Sequence, residues 1–276
     1  MTHPFPSTLD AVLTGVVAGL AGGRLDVVVR LALAMLVIQA AIGATNDIVD
    51  TPADRAVKPG KPIAAGLVSE LAARRIAAAG LVTGLLLAAS VSIAALGLAL
   101  AGSAVGIAYD LRLKGTAASW LPFAVGIPLL PLFGWIGAAG TLPVPILVLG
   151  ALAVPAGAAI AVANSLPDLE RDAAAGVASA ATALGKARAA RVIAILQGVV
   201  AVAAIGSFAL LQDGGRVGVP AGAVGLVTSC AVLVAGVALS GRPDVTSRQH
   251  GWEVQAIATG GLAASWLWGL VAAGRF

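Results

Sequence analysis

The chain has 276 residues, of which 59% are hydrophobic and only 11% are charged. A soluble domain carries about 25% charged residues, and a core of this size cannot hide so many apolar side chains from water. The composition therefore excludes a soluble globular protein and a disordered one, and it indicates a polytopic membrane protein. With a single cysteine, Cys230, no internal disulfide can form.

Nine apolar segments follow one another along the chain, and each is about long enough to cross a bilayer as a helix. They cover approximately residues 8–23, 27–46, 72–90, 91–109, 118–139, 143–163, 191–211, 218–240 and 253–273. Strands of a membrane barrel would alternate with a period of two, which these runs do not. The sequence therefore predicts an all-α bundle that forms a single transmembrane domain in the lipid bilayer.

Basic residues are distributed unequally between the two sets of loops. Of the 17 lysines and arginines, 13 lie in the loops after the second, fourth, sixth and eighth predicted helices, and the other four are Arg24, Arg30, Arg216 and Arg275. Because basic residues accumulate on the cytoplasmic side, we expect the first set of loops to be cytoplasmic. The N-terminus is then predicted inside and the C-terminus outside.

An acidic motif follows the second predicted helix, in what the hydropathy indicates is a loop. Asn46, Asp50 and Asp54 form the spacing Asn-x3-Asp-x3-Asp, and Asp47 stands beside the asparagine. On a helix, residues at this spacing would share one side, where like charges repel. A bound cation would relieve that repulsion, and oxygen ligands of this kind suit Mg²⁺. For one such motif alone, a solvated loop that caps helices is the simpler interpretation.

The same spacing recurs 118 residues later, after the sixth predicted helix, at Asn164, Asp168 and Asp172. Four helices separate the copies, so both lie on the same membrane face. This pattern predicts an ancient duplication with halves 1–117 and 118–276, each of which supplies one acidic cluster to a shared bundle. Two matched clusters favour a site in which Mg²⁺ ions surround a diphosphate.

Basic side chains suited to an anion accompany these acids. They follow the first motif and end the fourth predicted helix, at Arg55, Lys58, Lys61, Arg112 and Lys114. Lysine and arginine stabilise a departing diphosphate electrostatically. The alternative is that they only set the membrane topology.

The combined motifs resemble those of the UbiA superfamily of intramembrane prenyltransferases. The family's first acidic motif matches Asn46, Asp47, Asp50 and Asp54, and its second matches Asp168, Asp172 and Gly176. Its basic Pro-containing element matches Lys61 to Gly66, and its Tyr-x3-Leu-Lys element matches Tyr109, Leu113 and Lys114. Two positions depart mildly from the family pattern, with Asn164 at the start of the second motif and Lys61 where arginine is common.

The resemblance implies nine helices in two halves and a Mg²⁺-dependent transfer of an isoprenyl group from a prenyl diphosphate to a hydrophobic acceptor, which is aromatic, a quinone precursor or lipid-like. It implies metal ligands at Asn46, Asp47, Asp50, Asp54, Asn164, Asp168 and Asp172. It implies catalytic roles for Asp50, Asp54, Asp168, Asp172 and Lys114. It implies diphosphate contacts from Asn46, Arg55, Lys61, Tyr109, Arg112 and Asn164. No nucleic-acid partner is expected.

Two rival functions use the same residues. A terpene cyclase would ionise the same diphosphate and stabilise the cation with aromatic walls, but the chain has only 5 Trp, 1 Tyr and 5 Phe. A cation transporter would use the carboxylates as ion ligands, although transporters place such ligands near the membrane midplane rather than at one face.

Overall fold

The computed structural model describes residues 4–211 and 218–276, and every regular element in these ranges is helical. Eight of the described helices are long and apolar enough to cross a membrane, and a shorter apolar helix, α1 (Pro4–Leu20), precedes them. The predicted all-α membrane fold is therefore confirmed for this part of the chain. Arg216, which entered the topology argument, lies outside the described residues, and the sidedness of the protein stays a prediction.

The chain divides into two compact units. The first is the described part of Met1–Arg112 together with Leu132–Thr141. It contains α1, α2 (Leu25–Val57), α3 (Glu70–Ala89), α4 (Ile93–Ala108) and a π-helical segment, Tyr109–Leu113.

Leu31 and Ile38 from α2 pack with Phe133 in the core of this first unit. A Cβ atom on Gly84 of α3 would lie only 3.0 Å from the carbonyl oxygen of Ala34. A larger residue would therefore force the two helices apart, and glycine allows their backbones to approach closely.

Helix α2 corrects the sequence-based boundary near residue 46. It runs without interruption for 33 residues, and Pro52 lies inside it without ending it. At 1.5 Å per residue it is about 50 Å long, whereas about 20 residues suffice to cross the hydrocarbon core. The remaining turns extend beyond the span, because a helix does not have to end where its apolar side chains end. The first acidic motif therefore lies on a helix and not in a loop.

The second unit comprises Leu113–Pro131 and Leu142–Phe276. The unit boundary after Pro131 falls inside α5 (Leu121–Ala139), so this helix contributes to both units. The remaining helices are α6 (Val144–Ser165), α7 (Leu169–Ala174), α8 (Ala180–Leu184), α9 (Lys186–Leu211), α10 (Gly218–Ser240) and α11 (Val245–Ala272).

Helices α10 and α11 approach closely through small residues, since a Cβ atom on Gly222 would lie 2.7 Å from Cα of Gly269. Helix α11 begins eight residues before the predicted start at 253, because its first turns are polar and fall outside the apolar run.

The second acidic motif has a different local structure from the first. Asn164 lies in the last turn of α6, and the chain then turns through Pro167 before α7 begins. Proline has no backbone N–H to continue the helical ladder, so a break at this position is expected. The expected loop is thus partly correct, since the motif begins on one helix, passes through a turn and ends on another.

Candidate functional site

Three carboxylates on the last turns of α2, which we call the first acidic cluster, surround one ammonium group. Nζ of Lys61 lies 2.8 Å from Oδ1 of Asp47, 2.7 Å from Oδ2 of Asp54 and 3.9 Å from Oδ2 of Asp50. The side chains of Asp47 and Asp54 are buried. The predicted sharing of one helix face by these acids is therefore realised around a cation that the protein itself supplies.

Lys61 reaches the acids because the segment after α2 folds back in successive turns. The backbone N–H of Lys61 donates to the carbonyl of Lys58, and the N–H of Leu67 donates to that of Pro62. Ile63 is buried and anchors the segment, and Gly66 has a φ of +74°, a conformation that favours glycine. The pattern from Lys61 to Gly66 thus contains the charge, the anchor and the turn residue that place this lysine.

Two opposing effects determine the charge of Lys61. Partial burial by itself would lower the pKa of the ammonium group, but the contacts with Asp47 and Asp54 outweigh it and raise the pKa above its usual value. The close contact with Oδ2 of Asp54 is an ion pair at hydrogen-bonding distance. Lys61 is therefore cationic at neutral pH.

Asn46 is held by an acid that the sequence analysis did not select. Its Nδ2 donates a 2.7 Å hydrogen bond to Oδ1 of Asp110, which is buried in the π-helical segment. With the amide nitrogen committed to Asp110, the amide oxygen remains as the potential metal ligand. π-Helical segments occur frequently at functional sites. Asp110 adjoins Tyr109 of the Tyr-x3-Leu-Lys element, but it lies 64 positions from Asn46, and no local sequence pattern indicated their contact.

The second acidic cluster consists of Asp168 and Asp172, and an arginine from the same short helix accompanies it. Nη2 of Arg171 lies 2.6 Å from Oδ2 of Asp168 and 3.4 Å from Oδ1 of Asp172. Burial would lower the pKa of Arg171, but these two carboxylates raise it. As in the first cluster, a basic side chain of the protein neutralises the acids.

Glu170 and Arg248 form an ion pair that the sequence did not reveal. Nη1 and Nη2 of Arg248 donate to Oε1 and Oε2 of Glu170 at 2.8 and 2.7 Å. The hydrogen bonds from Arg248 are the main cause of a lowered pKa at Glu170. Arg248 is fully buried on α11, in a stretch that the hydropathy assigned to a loop.

The other predicted diphosphate-binding residues are more dispersed. Arg55 is exposed and lies 3.6 Å from Oε1 of Glu70, so its guanidinium is paired outside the first acidic cluster. Tyr109 and Arg112 belong to the π-helical segment, and Lys114 follows it directly. Asn164 is half-buried.

The ligand types in both clusters fit Mg²⁺, although the ligands are not yet gathered around it. Across residues 4–211 and 218–276, no three His, Cys, Asp or Glu side chains are already arranged to hold a metal ion. In the first cluster Lys61 stands between the carboxylates. The buried carboxylate of Asp54 and the oriented amide of Asn46 supply oxygen donors of the kind that a hard cation requires.

The model of the UbiA prenyltransferase family matches residues 11–250 of the chain. Digeranylgeranylglyceryl phosphate synthase from Methanopyrus kandleri is 33% identical over 243 residues, which cover 86% of this chain and 87% of that protein.

Two solved structures share the fold. A UbiA homologue from Aeropyrum pernix superposes with a TM-score of 0.78 at 18% identity, covering 96% of this chain and 98% of that one. A UbiA homologue from Archaeoglobus fulgidus bound to GPP and Mg²⁺ gives a TM-score of 0.68 at 16% identity, covering 94% and 96%.

Proposed function

Because the chain belongs to the UbiA prenyltransferase family, we propose that it transfers an isoprenyl group from a prenyl diphosphate to a lipid-like acceptor within the membrane, in a Mg²⁺-dependent reaction. The observation that carries this proposal is the first acidic cluster, where buried carboxylates share one cation at the end of a membrane-spanning helix. Such a cluster is costly to maintain unless cations neutralise it.

Each acidic cluster has a defined role in the proposal. Asp47, Asp50 and Asp54, with the amide oxygen of Asn46, would hold Mg²⁺ on α2. Asp168 and Asp172, with Asn164, would hold Mg²⁺ in the second unit. The bound ions supply positive charge that stabilises the diphosphate as it departs. That both clusters serve one substrate molecule stays a prediction.

Basic residues complete the binding of the diphosphate. Lys61 is cationic and sits among the carboxylates, so its ammonium group would contact the phosphate oxygens of a diphosphate bound at this cluster. Lys114 is the second candidate cation, and Arg55, Arg112 and Tyr109 are further candidate contacts. These residues stabilise negative charge in the leaving group without themselves reacting.

The reaction needs one bond to break and one to form. The allylic C–O bond breaks, and its electron pair leaves with the diphosphate. The acceptor nucleophile then attacks the allylic carbon and loses its proton, so diphosphate and a prenylated acceptor result. The apolar surfaces of the helices accommodate the prenyl tail. Exclusion of water from the site protects the allylic cation.

A glyceryl lipid is the acceptor class that we propose. The relative at 33% identity is named for a glyceryl phosphate that carries two geranylgeranyl groups. This name supports a long prenyl donor and a phosphorylated glyceryl acceptor for this chain also.

The test is a product assay with purified protein in detergent or nanodiscs. Mg²⁺ and prenyl diphosphates of C10 to C20 length are supplied without acceptor, with a monoprenylated glyceryl phosphate, or with a phenolic acceptor. We expect a diprenylated glyceryl product that disappears when EDTA removes the metal. Prenylation of the phenol alone would contradict the acceptor class, whereas hydrocarbon release without acceptor would indicate a cyclase. Ion flux in proteoliposomes without substrate would indicate a transporter.

We further propose that the halves 1–117 and 118–276 derive from one duplicated ancestor and that both acidic clusters face the cytoplasm. The repeated spacing and the unequal distribution of basic residues support these proposals. Reporter fusions after Ala56 and after the C-terminus test the topology. A reporter that works only in the cytoplasm should be active after Ala56, and a reporter that works only outside should be active after the C-terminus. The reverse result would contradict the proposed topology.

A further inference from the structure

The ion pair between Glu170 and Arg248 joins two helices that are far apart in sequence. Arg248 contributes both terminal nitrogens, Glu170 contributes both oxygens, and the arginine side chain is only 1% exposed. A bidentate pair of this kind fixes direction as well as distance, because two parallel hydrogen bonds constrain both planar groups.

The helix that this pair holds is too short to fix its own orientation. Helix α7 has six residues, and an isolated helix of that length is unstable in water. Asp168 at its N-terminus makes no side-chain capping bond. Leu169 packs in the core of the second unit, and the Arg248 contact ties Glu170 of α7 to α11.

Helix geometry connects this restraint to the acids. Asp168 and Asp172 are four residues apart and share one face, as their common contacts with Arg171 indicate. Glu170 is two residues from each, which on a helix corresponds to nearly the opposite face. Fixing Glu170 against α11 therefore turns Asp168 and Asp172 away from α11.

Stability alone does not explain the pair. Nε of Arg248 is buried and makes no hydrogen bond among the described residues. Burying a guanidinium is costly, and because the Glu170 side chain is 58% exposed, solvent screens the attraction that would offset this cost. The pair is better explained by the direction that it imposes.

We infer that Glu170 and Arg248 are positioning residues that orient the second acidic cluster for metal binding. The inference rests on the proposed function, since it assumes that Asp168 and Asp172 bind a divalent ion. Neither Glu170 nor Arg248 is required to touch the ion or the diphosphate. Their effect passes through the orientation of α7.

The test is a titration of purified protein with Mn²⁺, in which electron paramagnetic resonance measures the free ion. Two classes of bound Mn²⁺ are expected, one for each acidic cluster. In E170Q and in R248Q the Mn²⁺ affinity of the site that depends on Asp168 should fall about tenfold. A loss of this size is typical when a group that supports a metal ligand is removed. The class that depends on Asp50 should not change. The double variant should resemble either single variant, because both break the same pair.

Controls separate positioning from folding and from direct ligation. R242Q removes a nearby exposed arginine and should bind Mn²⁺ like the wild type. R248K keeps the charge but loses the bidentate contact, so it should fall between the wild type and R248Q. Circular dichroism should show unchanged helix content in E170Q and R248K. These two variants then test the inference even if R248Q does not fold.

Three outcomes would overturn the inference. Unchanged Mn²⁺ binding in E170Q would do so, as would additive effects in the double variant. Weakened binding in E170Q with wild-type binding in R248Q and R248K would make Glu170 a ligand instead. Failure of the proposed function looks different, since D168N and D172N would then bind Mn²⁺ as tightly as the wild type.

Discussion

The two acidic motifs have the same Asn-x3-Asp-x3-Asp spacing, but their acidic clusters lie in different physical environments. The first lies on an uninterrupted helix, its carboxylates are mostly buried, and its cation comes from a separate turn. The second begins before a turn at Pro167, its acids are partly exposed, and its cation comes from the same helix. An identical spacing therefore does not imply an identical role for the basic residue beside it.

The difference also determines what holds each cluster in place. In the first, the rigid helix α2 orients the acids, and Lys61 neutralises them. In the second, the short helix α7 needs an outside restraint, which Arg248 provides from α11. We expect mutations to separate neutralisation from orientation of the acids themselves in the second cluster, where Arg171 and Arg248 supply the two effects.

The largest expected effect is the loss of activity when either acidic cluster loses a carboxylate. It tests whether one of the two clusters is dispensable. We expect D50A and D168A each to lower product formation about a thousandfold, because each removes a carboxylate that holds positive charge against the leaving group. Both variants should keep wild-type helix content by circular dichroism. D26A, which removes an exposed acid at the start of α2, is the matched control and should retain activity. Full activity in either cluster variant would refute the metal assignment.

A second test compares the two resident cations. K61M leaves three carboxylates at short range without a counter-charge, and we expect a loss of about 2 kcal/mol in the free energy of unfolding, reduced from the full cost of a buried pair by partial exposure. R171M removes a more exposed partner and should cost less than about 1 kcal/mol. Thermal unfolding followed by tryptophan fluorescence measures both. Equal losses in the two variants would show that the clusters are not different in this respect.

A smaller effect concerns the orientation of Asn46, which stands next to Asp47 of the first acidic cluster. D110A removes the acceptor of the Asn46 amide, so the amide oxygen is no longer directed. We expect the Mg²⁺ concentration that gives half-maximal turnover to rise about tenfold, with a smaller change in the maximal rate. D26A, the exposed-acid control used above, should leave the Mg²⁺ dependence unchanged. A wild-type Mg²⁺ requirement in D110A would exclude the orienting role.

The smallest effect concerns the start of α11, one turn before Arg248. The Asp244 side chain accepts a 2.7 Å hydrogen bond from the backbone N–H of Ser247, which lowers the pKa of Asp244 below its usual 3.8. The stabilisation is present above that value and is lost as the pH falls through the lowered pKa. D244A should therefore unfold about 2 °C below the wild type at pH 7.

That difference between D244A and the wild type should shrink once the pH falls below 3.8. A constant difference across this range would mean that the carboxylate charge at the cap contributes nothing.

The sequence predicted the apolar helices and both acidic motifs, because apolar runs and repeated spacings are local patterns. It placed the end of α2 too early, since hydropathy detects the span and not the helix that continues beyond it. It also missed Asp110 and Arg248. These residues meet their partners across 64 and 78 positions, and no local pattern reports such a contact. Lys61 was found because its turn is encoded in neighbouring residues.

The division of α5 between the two units has a consequence for the history of this chain. Phe133, from its second part, is buried among residues of the first unit, whereas Leu121 and the rest of its first part belong to the second unit. Cutting the chain between residues 117 and 118, where we propose that the two halves meet, would therefore remove Phe133 from the core of the leading fragment. If the halves arose by duplication, the leading half no longer contains all of its own core.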